Sequence, residues 1–390
     1  MIFVQPRRLF FDPDNTGRFP TLPPRPSDQA IRTFLSPNNS RCPLNNIVCG
    51  EENRGNMRAI RRLAYSALSD PNHRCRGLGF GIYASPGQGK THLVRQFVKT
   101  LGLPSLMTEG TVIDDAEHLF SLISDTLEAY GTPLVETQPG HFQLPPVVVF
   151  IDEAHKLSKS LRTAALLPAM EAGDGWLTFR SSGRGGIDHR IDCREVCWIV
   201  ASTDPGILYQ QSQAFYTRFP LHLEWQNAGE AEIAEILRRD NLAKHESDPD
   251  RYPLLCEKTC QTIAAVQTIP REALAFADQV ILESRMSGCE PVDAVSTIAK
   301  DVGVDEDGLP VAIFDILKIL ADGSISDKRI IHRIGCRREQ FDGQYAPKLL
   351  ADFQGRGPLA TMGRGWSIAP AGRDLLIRRG VSTSQTTTVK

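Results

Sequence analysis

The sequence predicts an α/β fold with a parallel sheet, followed by a small helical domain and a last domain of three helices and a two-stranded wing. Three observations predict it. An apolar run at Leu78, Phe80, Ile82 and Tyr83 leads into the glycine-rich stretch A-S-P-G-Q-G-K-T at residues 84–91, then into an amphipathic run at Leu93, Phe97, Val98 and Leu101. A second apolar run, Val147, Val148, Val149, Phe150 and Ile151, has the continuity of a strand buried on both faces and ends in Asp152 and Glu153. After Ala228 the strand signals stop and helical periodicity takes over.

The first stretch reads as strand, tight loop and helix. Gly87 and Gly89 let the backbone turn its N–H groups inward at a helix N-terminus, which makes a concave anion site suited to a triphosphate. Lys90 is placed to reach the β- and γ-phosphates of ATP and Thr91 to hold Mg2+, with Pro86, Gln88 and His92 completing the loop. Ala84 stands where the usual G-x-x-x-x-G-K-[ST] pattern has its first glycine. Asp152 and Glu153 fall at the sheet edge where ligands of open α/β folds collect. There Asp152 can hold the magnesium through water, and Glu153 can polarise the water that attacks the γ-phosphate.

With 41% hydrophobic and 23% charged residues over 390 positions, the chain has ample core for two or three globular domains. It holds no stretch of membrane-spanning length, and Arg7 and Arg8 follow a short apolar start, the reverse of a secretion signal. Nine cysteines without a tight framework suit a reducing cytoplasm. The pairs Cys193 with Cys197 and Cys256 with Cys260 are expected to be buried free thiols rather than zinc ligands.

In chain order, residues 1–40 are proline-rich with few periodic apolar positions and read as an extended or disordered arm. Residues 41–226 form the large α/β domain. It opens with a segment in which Ile47 and Val48 can cover a purine ring, followed by a helix through Met57, Ile60, Leu63 and Leu68. Residues 131–146 read as a Pro/Gly-rich loop. The alternating stretch 176–180, a turn and the return 187–191 read as a hairpin, either closing a sheet edge or binding a partner. The buried strand 196–201 ends in Ser202, Thr203 and Asp204, of which Thr203 is the choice for sensing the γ-phosphate. Arg218, in a loop after a short helix, can be offered to the nucleotide of an adjacent subunit.

Residues 227–306 form the small helical domain. Within it Arg271 follows Pro270 at a helix start, where a cation gains nothing from the helix dipole and so asks for an anion, assigned here to the nucleotide phosphate. In the last domain, residues 307–380, twelve Lys and Arg face seven Asp and Glu between Leu309 and Gly380, although the whole chain carries a net charge of −2. That asymmetry points at a phosphate backbone, with Arg364 at the wing and Arg333, Arg337 and Arg338 near helix ends as the contacts. A winged helix used for protein contacts is the other reading. Residues 381–390 read as a polar, disordered tail.

Taken together, these motifs resemble an AAA+ ATPase, and within that class the RuvB family of Holliday-junction branch-migration motors. The resemblance spans residues 44–380. It rests on I-D-E-A-H-K-L at 151–157, L-P-A-M-E at 167–171, A-S-T-D-P-G at 201–206, T-R-F at 217–219, T-I-P-R at 268–271 and G-C-R-R-E-Q-F-D-G-Q-Y-A-P-K-L at 335–349. It implies that Thr203 is sensor 1, Arg218 the arginine finger and Arg271 sensor 2. It further implies a homo-oligomeric ring, a hexamer, acting on duplex or four-way DNA in recombination and repair, with the 176–191 hairpin gripping a RuvA-like adaptor. Four departures stand out: Ala84, a longer segment between the loop and the carboxylate strand, the proline-rich arm, and a hairpin made cationic by Arg180, Arg184, His189 and Arg190. A non-motor AAA+ switch, in which ATP binding assembles a loader on DNA, shares every nucleotide residue. A DEAH-type helicase does not fit, because the residues after 226 are helical and no second recombinase-like domain follows.

Overall fold

The computed structural model describes residues 26–70, 75–132, 134–171, 174–181, 186–203, 205–303, 309–338, 341–350, 357–363 and 365–381. Arg364, Arg184, Asp204, residues 1–25 of the arm, linker residues 304–306 and the tail beyond 381 lie outside them. The chain divides into two compact units, Met1–Glu232 with Ile269–Arg271, and Ile233–Thr268 with Glu272–Lys390.

The first unit is built on a parallel sheet in which β1 (Gly79–Tyr83), β2 (Ser105–Glu109), β5 (Val147–Asp152), β8 (Val196–Ser202) and β9 (His222–Glu224) take the order β2-β5-β8-β1-β9. Alternate side chains of each strand feed two cores, as the period of two requires. Val148 and Phe150 of β5, Cys197 and Ile199 of β8, and Phe80 and Ile82 of β1 pack on one face with the helices Arg54–Ser69 and Lys90–Leu101. Val147, Val149 and Ile151 with Trp198 and Val200 pack on the other, with the helix Ala116–Ala129. This double burial is why the strands read as continuous apolar runs.

Two segments differ from the sequence expectation. The arm does not stay extended through residue 40: Ser27 caps a helix, Asp28–Phe34, by accepting the Ala30 N–H at 3.2 Å, and Ile31 and Leu35 join the first core. The hydrophobic burial of these two residues outweighs the proline-rich composition that precedes them. The stretch 131–146 is not all loop either. It folds as a hairpin of β3 (Val135–Gln138) and β4 (His141–Gln143), closed through Gly140 at φ 76°.

That hairpin joins the one expected at 176–191. The strands β6 (Trp176–Arg180) and β7 (Asp188–Asp192) are antiparallel, and β4 runs parallel to β7, giving a four-stranded sheet in the order β3-β4-β7-β6. Phe120, Phe142, Phe179 and His189 pack with ring centroids 5.0–5.9 Å apart and hold this sheet on the helix Ala116–Ala129. A Cβ at Gly140 would stand 2.8 Å from the Asp188 carbonyl oxygen, so the close approach of the two hairpins requires glycine.

The second unit holds most of the helices Glu230–Ser247 and Pro270–Ser287, together with Glu257–Val266 and Pro291–Asp301, which pack on each other, while Lys244 donates to Asp278 at 2.7 Å. Buried Asn241 ties the helix Glu230–Ser247 to the following loop, donating to the Pro253 carbonyl and accepting the Leu255 N–H. The terminal part has the helices Val311–Ala321 and Asp327–Ile334 and a wing of β10 (Ala360–Met362) and β11 (Trp366–Ile368). The third expected helix is described over 341–350, opening with a wide turn at Phe341–Tyr345 before Ala346–Leu350. A further helix, Pro370–Arg378, was not expected. Its Leu375 and Leu376 enter the core formed by Ile313, Leu317, Ile330, Phe341 and Trp366.

All nine cysteines are free. Cys193, Cys197 and Cys260 are buried as expected, but Cys256 is exposed, because it lies just before the first turn of the helix Glu257–Val266. Among the described residues no helix is long and apolar enough to cross a membrane.

Candidate active site

The glycine-rich loop leaves β1 at its C-terminal end and closes into the helix Lys90–Leu101. Gly87 and Gly89 both take positive φ, 79° and 87°, the left-handed conformation that lets the loop curl over its own N–H groups. Ala84 is buried and its N–H donates to the Ser202 carbonyl, so alanine serves at that position as the floor of the loop. Lys90 is buried, and its ammonium donates to the carbonyls of Ala84 and Ser85 at 2.9 and 3.4 Å. Burial pulls its pKa below the ordinary lysine value, and nearby Arg271 adds to that pull while Asp152 and Glu153 oppose it. The pKa of His92 in the next turn is likewise lowered by burial and by Lys99 and Arg95.

Asp152 ends β5 directly beside this loop. The Thr91 hydroxyl donates to its Oδ2 at 3.0 Å, and its Oδ1 accepts the Glu153 N–H at 2.9 Å. A hydroxyl and a carboxylate side by side are the hard oxygen donors that magnesium prefers, so these residues fit the ion the motif implies. Glu153 has φ 51°, and among the described residues it is the one non-glycine with positive φ. Strain of this kind concentrates at functional positions. The chain makes room for it: Gly110 donates to the Asp152 carbonyl at 2.8 Å, and a Cβ on Gly110 would come within 2.7 Å of the Glu153 carbonyl oxygen.

Glu153 is also held from its side. His155 Nε2 lies 3.3 Å from Glu153 Oε2, and His155 Nδ1 lies 3.0 Å from the hydroxyl of buried Ser202, the last residue of β8. Thr203 follows Ser202 and is half-buried. The sequence expectation singled out Thr203 and passed over His155 and Ser202. The signal available was a histidine two residues beyond Glu153 and a hydroxyl side chain ending the neighbouring strand.

Of the remaining expected residues, Arg271 lies close to the loop: a Cβ on Gly87 would stand 3.5 Å from the Arg271 Cβ, and Ile269 packs against the same glycine. The Gln88 Oε1 accepts the Ala228 N–H at 3.0 Å. Ile47 and Val48 are half-buried, Ile47 against the first core. Arg218 is not turned to its own loop; its guanidinium pairs with Glu171. In the terminal part Arg333 and Arg337 are exposed, whereas Arg338 is engaged with Asp327 and Asp342 at 2.6 and 2.7 Å.

Comparison with known proteins agrees with this geometry. Residues 80–226 match the family described as ATPase family associated with various cellular activities (AAA). The Holliday junction branch migration complex subunit RuvB of Lactobacillus helveticus is 26% identical over 280 residues, covering 69% of this chain and 71% of its own length. The RuvB subunit of Streptococcus pneumoniae is 24% identical over 276 residues, covering 69% and 74%. Among solved structures, the RuvB Holliday junction branch migration motor of Thermotoga maritima aligns at TM-score 0.56 with 19% identity, covering 84% of this chain and 95% of its own. A point mutant of the same protein aligns at 0.59 with 19% identity, covering 86% and 96%. Residues 80–226 thus match the AAA family, and the chain as a whole resembles RuvB in sequence and in fold.

Proposed function

We propose that this chain is an ATP-hydrolysing DNA motor of the RuvB type, working in the cytoplasm as a ring of six copies and driving branch migration of Holliday junctions or related branched DNA. The observation that supports it most is the meeting of Thr91 and Asp152 at 3.0 Å beside Lys90, which brings phosphate loop and carboxylate strand together at one sheet edge. In this reading the loop N–H groups and Lys90 bind the triphosphate, and Ile47 and Val48 cover the base. Thr91 and Asp152 hold magnesium, which when bound neutralises charge building up on the phosphates. Glu153 orients and polarises the attacking water, Thr203 reads the γ-phosphate, Arg271 contacts phosphate from the helical domain, and Arg218 reaches the nucleotide of the adjacent subunit. The winged-helix domain contacts duplex phosphates through Arg333, Arg337, Arg338 and Arg364.

The test is ATP turnover with a four-way junction, with linear duplex and without DNA, with strand exchange followed in the same reactions and Lys90→Ala as the blank. Turnover coupled to junction movement supports the motor; turnover indifferent to DNA, without strand movement, rejects it. The second reading is a non-motor switch that uses ATP binding to assemble on DNA and recruit a partner. The added strands β3 and β4 favour it, because they turn the expected adaptor hairpin into a broader sheet with Arg180, His141 and Arg190 on it. Dependence of turnover on an added RuvA-like adaptor would assign that sheet to the motor.

A further inference from the structure

We propose that His155 is a positioning residue that couples the end of β8 to Glu153, so that the water-polarising carboxylate is held in register with the phosphate loop and with Thr203. The inference rests on the ATPase reading given above.

Six contacts carry it. His155 uses both ring nitrogens, Nε2 toward Glu153 Oε2 at 3.3 Å and Nδ1 toward the Ser202 hydroxyl at 3.0 Å. A neutral ring protonated on Nε2 satisfies both at once, with Nε2–H donating to the carboxylate and the Ser202 O–H donating to Nδ1. Ser202 is fully buried, and its carbonyl accepts the N–H of Ala84, the first residue of the loop. The backbone under the ring is fixed as well. Arg162, itself buried, donates to the carbonyls of His155 and Leu157 at 3.3 and 2.8 Å and to the Gln211 side chain at 2.8 Å.

The imidazole is therefore not a loose neighbour of Glu153. Its origin is clamped by Arg162, its far nitrogen is anchored on a strand end, and its near nitrogen meets Glu153, the one non-glycine with positive φ among the described residues. A shift of Ser202, driven from Thr203 or from the loop through Ala84, moves the ring and with it Glu153. Catalytic side chains need this outer support, since small misplacements at the reacting centre cost large factors in rate. His155 touches neither phosphate nor water in this scheme and acts only through Glu153.

The experiment measures kcat and KM for ATP, binding of a fluorescent ATP analogue, and the thermal midpoint, for the full chain and for His155→Ala, His155→Gln, Ser202→Ala and the double variant His155→Ala/Ser202→Ala. Positioning predicts that His155→Ala lowers kcat by about ten- to a hundredfold while KM and analogue affinity stay within about twofold, a split expected when only transition-state help is lost. Glutamine, which keeps a donor and an acceptor, should recover most of kcat. Ser202→Ala should lower kcat, with little further loss in the double variant, because two residues of one relay are not additive. Unchanged kcat in His155→Ala, additive losses in the double variant, or a parallel fall in analogue affinity overturns the proposal. If His155→Ala does not fold, His155→Gln and Ser202→Ala decide by the same kcat-against-KM criterion. Wild-type turnover that Lys90→Ala fails to abolish overturns the ATPase reading itself, whatever the His155 variants show.

Discussion

The Arg218 guanidinium and the Glu171 carboxylate form a two-point ion pair, Nη2 to Oε2 at 2.6 Å and Nη1 to Oε1 at 3.1 Å. The two side chains are 35% and 47% exposed, so the pair is worth at most about 1 kcal/mol and yields readily to a stronger anion. In the proposed ring, a triphosphate presented by a neighbouring subunit would be such an anion. In the single chain the guanidinium is occupied by the Glu171 carboxylate.

The first prediction follows from that pair. Arg218→Ala should lower ATP turnover by about 10³-fold or more while the thermal midpoint moves little. Mixing it with Lys90→Ala subunits should restore part of the turnover, since each variant supplies what the other lacks. No restoration at any ratio places Arg218 outside a shared site.

A second prediction concerns the crowded backbone under Glu153. Gly110→Ala pushes a methyl group against the Glu153 carbonyl oxygen, and relief requires the carboxylate strand end to move. Turnover should drop by more than tenfold, on the scale of about 1 Å misplacement of a catalytic group, while analogue affinity is retained. Glu153→Gln, which leaves the backbone alone, should keep ATP bound and block turnover. Equal loss of binding in both variants would argue against the role given to Glu153.

Acid stability supplies a third. Hydrogen bonds from Arg238 and then Arg239 hold the pKa of the Glu235 carboxyl at about 2, against 4.5 for an ordinary glutamate. A depressed carboxylate contributes stability that is present above the unfolded value and is lost as pH falls from about 4.5 toward 2. Glu235→Gln should therefore lower the unfolding midpoint at pH 7, and the gap to wild type should narrow as the pH is taken below 4.5. A gap that is constant with pH would show that the loss is one of packing.

The fourth prediction separates the arginines of the winged domain. Arg333→Ala and Arg337→Ala, which remove exposed cations, should weaken duplex binding across sequences and reduce the salt slope by about one each. Arg338 differs because it bridges Asp327 and Asp342, so Arg338→Ala should loosen the tie between the helix Asp327–Ile334 and the turn Phe341–Tyr345 as well as weaken DNA binding. Circular dichroism melts and filter binding over a salt series measure the two effects. A sequence-selective loss would contradict the backbone role.

What could be read from the sequence was local and strongly patterned. Gly87, Gly89 and Lys90 betray the loop because backbone conformation and charge are written in adjacent residues. The run from Val147 to Ile151 betrays the central strand because both of its faces are buried. The hairpin β3–β4 gave no such signal: Glu136, Thr137 and Gln138 are exposed, and the strands are four and three residues long. The helix Asp28–Phe34 was masked by the prolines that precede it. His155 with Ser202, and Glu171 with Arg218, are each 47 positions apart, and no periodicity links residues at such distance. Their pairing exists only once β5 and β8 lie side by side.

The four-stranded sheet also orders events along the growing chain. Its halves are contributed from opposite sides of β5 in the sequence, and His141 finds Arg190 as its parallel neighbour only across that interval. Pairing across so long a separation is slow, because the intervening loop must be closed before any contact rewards it. During synthesis β4 therefore emerges as an open edge, and the antiparallel β3 covers just one side of it. A ribosome-bound chain halted before β7 would present that edge to other nascent chains, and completion of β7 would withdraw it. For this protein the amide protons of β4 and β7 thus report when the four-stranded sheet closes.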